Sequence, residues 1–203
     1  MAAAILRTEA TEVGAPAADE LETARLRMRL FTPADVDRMC EITSDPGVMR
    51  FIGHGHPLSR EQTLKNLDMI MSGFRRRGYG RWALERRDTG ALVGYCGLSS
   101  GNPEVGIELA YMLAREEWGR GFALEAGRAS LRYGFETLGV ASIAGLTFHD
   151  NLRSRAVLER LGMKFIRDAS YYDFACVHYQ IARADWRPDG SHYRVIKTVD
   201  SSR

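Results

Sequence analysis

The most constraining feature of this sequence is a junction where an apolar strand runs into a short glycine loop that opens a helix. The strand ends near Leu113, the loop contains Gly119 and Gly121, and the helix continues through Ala126. Backbone N–H groups in the first turn of a helix lack partners within the helix, and the helix dipole adds positive potential there. Glycines let a phosphate approach this backbone closely. The junction therefore predicts a site for a phosphate-bearing ligand.

A lone pair of glycines more often shapes a tight loop without a ligand, so the neighbouring sequence has to decide. A nicotinamide-binding fingerprint requires a third glycine and an acidic residue about 20 positions further on, but residues 139–148 are uncharged. A nucleotide-triphosphatase loop requires Gly-Lys-Ser/Thr, which is missing. Both of these nucleotide-binding folds are excluded.

Apolar periodicity predicts an α/β (α+β) fold around the junction. Helices are expected at 33–44, 60–78, 119–136 and 151–161, the second of them opened by a capping box at Ser59 and Gln62. Strands are expected at 26–30, 82–86, 92–98, 105–113, 141–148, 164–167 and 174–181. This order predicts a single domain with a mixed, mostly antiparallel central sheet of about seven strands, flanked by helices.

Composition sets the domain limits. The chain of 203 residues is 45% hydrophobic and 27% charged, which is typical of one soluble globular domain. Residues 1–20 lack periodicity and are rich in Ala, Glu, Thr and Pro, so we expect a disordered tail. The folded domain is expected at 21–186, with an irregular C-terminal tail at 187–203.

Charge and cysteine usage favour a cytoplasmic protein. The net charge is only +2, from 28 basic and 26 acidic side chains, so no overall field favours nucleic acid or an acidic membrane. Cys40, Cys96 and Cys176 lack the spacing of a zinc site or a redox dithiol. His54 and His56 have no further ligands nearby, so no metal site is expected. No signal peptide or membrane-spanning segment is evident.

Three motifs occur in order: Trp118 to Ala123, Asn151 to Ser154, and Leu161-Gly162-Met163. Together they resemble the GNAT superfamily of N-acetyltransferases, and most closely its RimJ/RimL-like branch. The resemblance covers about Leu21 to Trp186. Many superfamily members carry Gln or Arg in place of Trp118, although Trp is usual in this branch, and Met163 replaces the more frequent Phe.

The resemblance implies transfer of an acetyl group from acetyl-CoA to a primary amine by direct attack in a ternary complex. The amine is either a protein N-terminus or a small molecule, and homodimers are common among related proteins. Backbone groups of the loop would bind the pyrophosphate, and the strand before it would pair with the pantetheine arm. The implied cofactor-binding residues are Tyr111, Met112, Leu113, Trp118, Gly119, Arg120, Gly121, Phe122, Ala123, Leu124, Asn151 and Ser154.

Glu108 is the candidate general base, since it lies in the strand before the loop and matches an acidic position of the family. It also fits a carboxylate on a solvated sheet face. Many superfamily members use a tyrosine as the acid where Leu158 stands here, so Ser154 is the substitute, although it also fits a purely structural role in the first turn of its helix. The oxyanion would be met by a backbone N–H near Met112 or Leu113. Leu158 also motivates the alternative of a non-catalytic acyl-CoA-binding sensor.

Overall fold

The computed structural model describes residues 19–100, 103–171 and 174–197. In this part of the chain nine strands form, namely β1 (Glu20–Thr23), β2 (Leu26–Arg29), β3 (Arg81–Arg86), β4 (Leu92–Ser99), β5 (Glu108–Leu113), β6 (Ser142–Thr147), β7 (Lys164–Tyr171), β8 (Phe174–Ala182) and β9 (Tyr193–Ile196). The α-helices of the same part are α1 (Val36–Ser44), α2 (Pro46–Met49), α3 (Arg60–Arg77), α4 (Phe122–Arg132) and α5 (Leu152–Arg160). A π-helical turn, Tyr133–Thr137, extends α4.

The strands form one sheet in the order β7-β8-β6-β5-β4-β3-β2-β1-β9. Every neighbouring pair is antiparallel except β5 and β6, which are parallel. The parallel pair follows from the connection, because a chain that crosses the sheet through a helix such as α4 returns in the same direction. The expected mixed, mostly antiparallel sheet flanked by helices is confirmed, with nine strands instead of about seven.

The two additional strands, β1 and β9, lie at the ends of the described chain and pair with each other. The expectation that the chain is irregular after Trp186 is therefore wrong for Tyr193–Ile196. The ammonium of Lys197 lies 2.8 Å from the Asp19 carboxylate, and the Trp82 indole donates to the Asp19 carbonyl at 2.8 Å. These contacts fasten both ends to the sheet. Residues 1–18 and 198–203, which belong to the two expected tails, lie outside the described residues.

Helices cover both faces of the sheet. Helix α4 and its π-helical extension pack closely on one face. A Cβ atom added at Gly134 would lie only 2.7 Å from the Ile143 side chain, and one added at Gly127 would lie 2.8 Å from the Leu161 side chain. On the opposite face, α1 and α3 bury Met39 and other apolar side chains, including Ile42, Leu67 and Ile70.

Helix α3 begins and ends at the signals expected from the sequence. The Ser59 hydroxyl accepts from the N–H of Gln62, the Gln62 side chain accepts from the N–H of Ser59, and Gly78 ends the helix with φ 72°. This position favours glycine because the left-handed region is costly for other residues. No helix among the described residues has the length and apolar character needed to cross a membrane.

Candidate active site

A cleft opens between β5 and β6 because the two strands pair at one end only. Glu108 pairs with Ala144, whose N–H donates to the carbonyl of Ile107 at 2.8 Å, and no further pair joins these strands in the described chain. On its other side β5 pairs with β4 along its whole length. Beyond the Leu109 N–H, which completes the pair with Ala144, the backbone N–H groups of β5 on the edge that faces β6 are therefore unpaired in the described chain.

Strand geometry identifies which backbone groups face the cleft. The N–H of Ala114 donates to Val93, so it points toward β4, and successive residues alternate between the two sides. Leu109, Tyr111 and Leu113 accordingly direct their N–H and C=O groups toward β6. The Leu109 N–H pairs with Ala144 and the Leu113 carbonyl accepts from the Trp118 indole, which leaves the two groups of Tyr111 and the Leu113 N–H facing the cleft. An extended ligand with amide groups, such as a pantetheine arm, can pair with this edge. Of the two N–H groups considered for an oxyanion, that of Leu113 faces the cleft, whereas that of Met112 faces β4.

The glycine loop leads into helix α4 with free backbone donors. Gly119 and Gly121 have φ of 76° and 82°, and Gly121 caps the helix. The N–H of Glu125 donates to the Gly121 carbonyl at 3.0 Å, so the three residues before Glu125, from Phe122 to Leu124, precede the first helical hydrogen bond. Phe122 and Leu124 are buried, so they offer a ligand their backbone and not their side chains.

Several side chains hold the loop, and two of them, Arg25 and Arg153, were not evident from the sequence. The Arg25 guanidinium donates to the Arg120 carbonyl at 2.9 Å and forms an ion pair with Glu125 at 2.6 Å. The Trp118 indole donates to the Leu113 carbonyl at 2.9 Å, and the Arg153 guanidinium stacks on the Trp118 ring at 4.9 Å. Arg153 thereby places a positive charge beside the helix start, which favours an anionic ligand.

A pair of hydroxyl groups bridges the start of α5 and β5. The side-chain oxygen of Asn151 accepts from the Ser154 N–H at 3.2 Å, so Asn151 is the N-cap of α5. The Ser154 hydroxyl lies 2.7 Å from the Tyr111 hydroxyl, which also lies 3.2 Å from the Ser154 carbonyl. Burial raises the pKa of Tyr111, partly offset by its bond to Ser154. Leu158 is buried against Gly145, so a phenol reaches this region from β5 instead of from α5.

Glu108 lies on the other face of the sheet. Side chains alternate along a strand, so Glu108, Ala110 and Met112 face α1 and α3, whereas Tyr111 faces α4 and α5. Burial raises the pKa of Glu108 to about 7, although the positive charge of Arg81 acts in the opposite direction. A carboxyl group with this pKa exchanges a proton readily near neutral pH.

The face that carries Glu108 also has a cavity beneath α1 and α3. The residues that line it include Met39, Asn66, Tyr95 and Met112 as well as Arg81, whose guanidinium lies 5.4 Å from the Tyr95 ring. Arg81 was missed because it is remote from Glu108 in the sequence, and only the register of the sheet brings them together.

The loop that contains His54 packs near the carboxyl end of β6. The His54 ring meets Phe174 at 5.2 Å, Phe174 meets Phe148 at 5.6 Å, and Phe148 meets Phe51 at 6.0 Å. Aromatic rings therefore border the open end of the cleft. Among residues 19–100, 103–171 and 174–197, no group of three or more His, Cys, Asp or Glu side chains is placed to hold a metal ion.

The sequence of this chain is similar to those of known proteins. Residues 25–164 match the Acetyltransferase (GNAT) domain family. The chain is 31% identical to the uncharacterized N-acetyltransferase YoaA of Bacillus subtilis (strain 168) over 145 residues, which are 71% of this chain and 82% of YoaA.

Solved structures of acetyltransferases have the same fold as this chain. An acetyltransferase from Agrobacterium tumefaciens str. C58 superimposes with a TM-score of 0.72 at 26% identity, covering 80% of this chain and 93% of that one. Spermidine N-acetyltransferase from Vibrio cholerae, solved in complex with CoA and spermine, shares the fold with a TM-score of 0.66 at 17% identity, covering 79% and 96%. From the domain match and the relationship to YoaA, this chain belongs to the GNAT acetyltransferase family.

Proposed function

We propose that this protein is an N-acetyltransferase of the RimJ/RimL-like branch, which moves an acetyl group from acetyl-CoA to a primary amine. The observation that carries the proposal is the half-open β5–β6 pair, because its unpaired edge runs from the free N–H groups of α4 to Glu108. The sequence supports the branch through its Trp-Gly-Arg-Gly-Phe-Ala loop and its Asn-Leu-Arg-Ser helix start. Acetyl-CoA is a metabolite of the cell interior, which is consistent with a cytoplasmic location.

In the proposed complex, different parts of CoA bind to different parts of the cleft. The N–H groups of residues 120–124 bind the pyrophosphate, with Gly119 and Gly121 allowing close approach and Arg153 adding charge. The cleft edge of β5, at the Tyr111 carbonyl and the Leu113 N–H, pairs with the pantetheine amides. Bound acetyl-CoA supplies the thioester carbonyl that the amine attacks.

The proposed chemistry uses both faces of the sheet at the cleft. Glu108 accepts a proton from the incoming amine, directly or through water, and its pKa of about 7 suits this role at neutral pH. The N–H of Tyr111, which is the unpaired cleft donor nearest to Glu108, stabilises the oxyanion. The Ser154 hydroxyl passes a proton to the departing thiolate and regains one from solvent, so no alkoxide accumulates, and Tyr111 orients Ser154 across the 2.7 Å contact between the two hydroxyls.

The proposal is tested by acetyl-CoA labelled in the acetyl group, incubated with wild-type protein and a panel of primary amines and N-terminal peptides. We expect mass spectrometry to find label on an amine, in a one-to-one ratio with released CoA. We also expect the intact protein to stay unlabelled, because attack is direct. An acetylated enzyme intermediate would contradict the direct mechanism, and free acetate as the only labelled product would contradict amine transfer.

A non-catalytic acyl-CoA sensor is the second candidate, favoured by the buried apolar Leu158 at the position of the usual tyrosine. A sensor would bind acetyl-CoA without transferring its acetyl group. Amine acetylation by the wild type that Glu108→Gln abolishes would exclude it.

A further inference from the structure

A basic pocket lies beside the start of α4, on the side of β5 opposite to β6. It is formed by the turn between β1 and β2, the turn between β3 and β4, and the glycine loop, and its volume is about 670 Å³. Four of the residues that line it are arginines, namely Arg25, Arg86, Arg87 and Arg120. Asp88 is the one carboxylate among its described lining residues. The pocket therefore has both the space and the charge for an anionic group.

The arginine side chains face the pocket, whereas the acidic side chains that pair with them lie behind. The side chains of Arg25, Arg87 and Arg120 are 41 to 51% exposed. The carboxylates that form ion pairs with these three arginines are only 9 to 15% exposed, namely those of Glu125, Glu22 and Glu117. An anion that enters the pocket meets the guanidinium groups first, without displacing the carboxylates.

Two of the arginines keep hydrogen-bond donors free for a ligand. Nη1 of Arg87 donates to two carbonyls at the turn between β1 and β2, at 2.8 and 3.3 Å, but its Nη2 lies 3.8 Å from Glu22, beyond hydrogen-bond distance. The charged neighbour of Arg120 in the described part of the chain is Glu117, at 3.4 Å. A guanidinium carries five N–H donors, and its fork matches the oxygens of a phosphate group. Both arginines can therefore donate to a phosphate in the pocket.

The basic pocket adjoins the backbone N–H groups that are proposed to bind the pyrophosphate. Arg120 and Phe122 line the pocket and also belong to that segment, residues 120–124. The guanidinium groups of Arg25 and Arg86 lie 4.6 and 5.7 Å from the centroid of the Phe122 ring, which holds them beside the first turn of α4. A ligand whose pyrophosphate binds at the start of α4 therefore has the basic pocket next to it.

We propose that the basic pocket binds the 3′-phosphate of CoA and thereby distinguishes CoA from its dephospho form. This inference rests on the proposed acetyltransferase function and names a second anchor for its co-substrate. The ribose of CoA carries the pyrophosphate on its 5′ oxygen and a phosphate monoester on its 3′ oxygen, so both anionic groups belong to one sugar. With the pyrophosphate at the start of α4 and the pantetheine arm in the cleft, the ribose lies outside the cleft. A monoester with a charge of about −2 at neutral pH then meets the four arginines.

The test compares CoA with dephospho-CoA, which differs from it only in the missing 3′-phosphate. Calorimetric titration of each ligand is performed at fixed low ionic strength, because salt screens exposed charges, and in buffer free of phosphate and sulfate, which would compete for the pocket. Wild type, Arg87→Gln, Arg120→Gln and the control Arg76→Gln are compared. Arg76 is an exposed residue of α3, on the opposite face of the sheet from α4, so its variant removes the same charge without touching the pocket.

We expect the wild type to bind CoA about tenfold more tightly than dephospho-CoA, at the low end for charge-assisted hydrogen bonds because the pocket is open to solvent. Arg87→Gln and Arg120→Gln should each weaken the binding of CoA and leave the Kd of dephospho-CoA unchanged, so the ratio of the two Kd values falls. Arg76→Gln should keep the wild-type ratio. Damage to the glycine loop would weaken both ligands alike, so the ratio separates contact with the 3′-phosphate from a structural effect.

Two results would overturn the inference: equal binding of the two ligands by the wild type, or equal weakening of both ligands by the pocket variants. Circular dichroism establishes that each variant is folded, and Arg120→Gln loses no side-chain hydrogen bond within the described residues. Failure of the proposed function is a separate outcome, because it appears as absent amine acetylation while the ratio of the two Kd values is still measured. Absent binding of both ligands would contradict both proposals.

Discussion

Replacement of Glu108 by Gln tests two separate effects of this side chain. One is its contribution to catalysis, and the other is the stability lost when its buried carboxyl group is ionised. Gln keeps the shape of Glu but cannot accept the proton of the amine. General-base catalysis contributes roughly a hundredfold to ten-thousandfold, so kcat/KM for the amine should fall by about this factor. Acetyl-CoA binding should change little, because Glu108 lies on the sheet face opposite Tyr111 and Ser154.

The pKa of Glu108 also fixes the expected pH dependence. In the wild type, burial raises the pKa from 4.5 to about 7, so the ionised fraction at pH 5 is about one hundredth. With amine concentration expressed as free base, kcat/KM should therefore fall about a hundredfold between pH 8 and pH 5. Glu108→Gln should lack this acidic limb.

The sign of the stability effect follows from linkage. The folded pKa is raised, so the folded state binds the proton more tightly, and protonation stabilises it fully only below pH 4.5. The free energy of unfolding contributed by this group should fall by about 3 kcal/mol as the pH rises from 4.5 to about 7. Glu108→Gln should remove this loss and melt at or above the wild-type temperature at pH 8.

The assays are thiol release for activity and urea unfolding for stability, with Glu61→Gln as the control on an exposed helix position. Activity of Glu108→Gln within threefold of the wild type, or an unchanged acidic limb, would refute the assignment of Glu108 as the base. Strong destabilisation of an inactive Glu108→Gln variant at pH 8 would refute the prediction that the ionised Glu108 carboxylate destabilises the folded protein.

Three further predictions concern other parts of the fold. Tyr111→Phe keeps the buried ring but leaves the Ser154 hydroxyl unoriented, so we expect kcat to fall about tenfold with little change in the Kd of acetyl-CoA, and an unchanged kcat would contradict the role of this pair. Gly127→Val forces a side chain against Leu161, where even a Cβ would lie at 2.8 Å, and should lower the free energy of urea unfolding by about 1 to 3 kcal/mol. Truncation after Gly190 removes β9 and exposes the edge of β1, so the melting temperature should fall, and an unchanged value would show that β9 adds no stability.

The sequence predicted the parts of the site that depend on local chemistry. The glycine positions at the start of α4 and the Asn151 cap are visible because each needs a particular residue type. The one-sided pairing of β5 is not visible, because β5 reads as an ordinary strand and its loss of a partner depends on the path of β6. Arg81 was likewise hidden, because its proximity to Glu108 arises from the register of three strands.

The failure to predict β1 and β9 has a different cause. Strand β1 has a single large apolar residue, Leu21, and β9 is flanked by polar residues, so neither shows the apolar alternation that predicted β2. Each is stabilised by pairing with the other across the whole length of the chain. The ion pair between Asp19 and Lys197 adds to this long-range pairing. Because both contacts join residues far apart in the sequence, no local sequence pattern predicts these strands.

The central claim is that the start of α4 and the β5–β6 cleft bind acetyl-CoA, and calorimetric titration with acetyl-CoA and with CoA tests it most directly. Gly121→Glu should obstruct and repel the pyrophosphate. Gly190→Glu is the matched control, because Gly190 also has a left-handed φ, 74°, has no heavy atom within 4 Å of the position that a Cβ would take, and lies outside the cleft. We predict micromolar binding to the wild type, an affinity of about 8 kcal/mol, retained in Gly190→Glu and lost in Gly121→Glu. No binding to the folded wild type, or equal binding to both variants, would contradict the account.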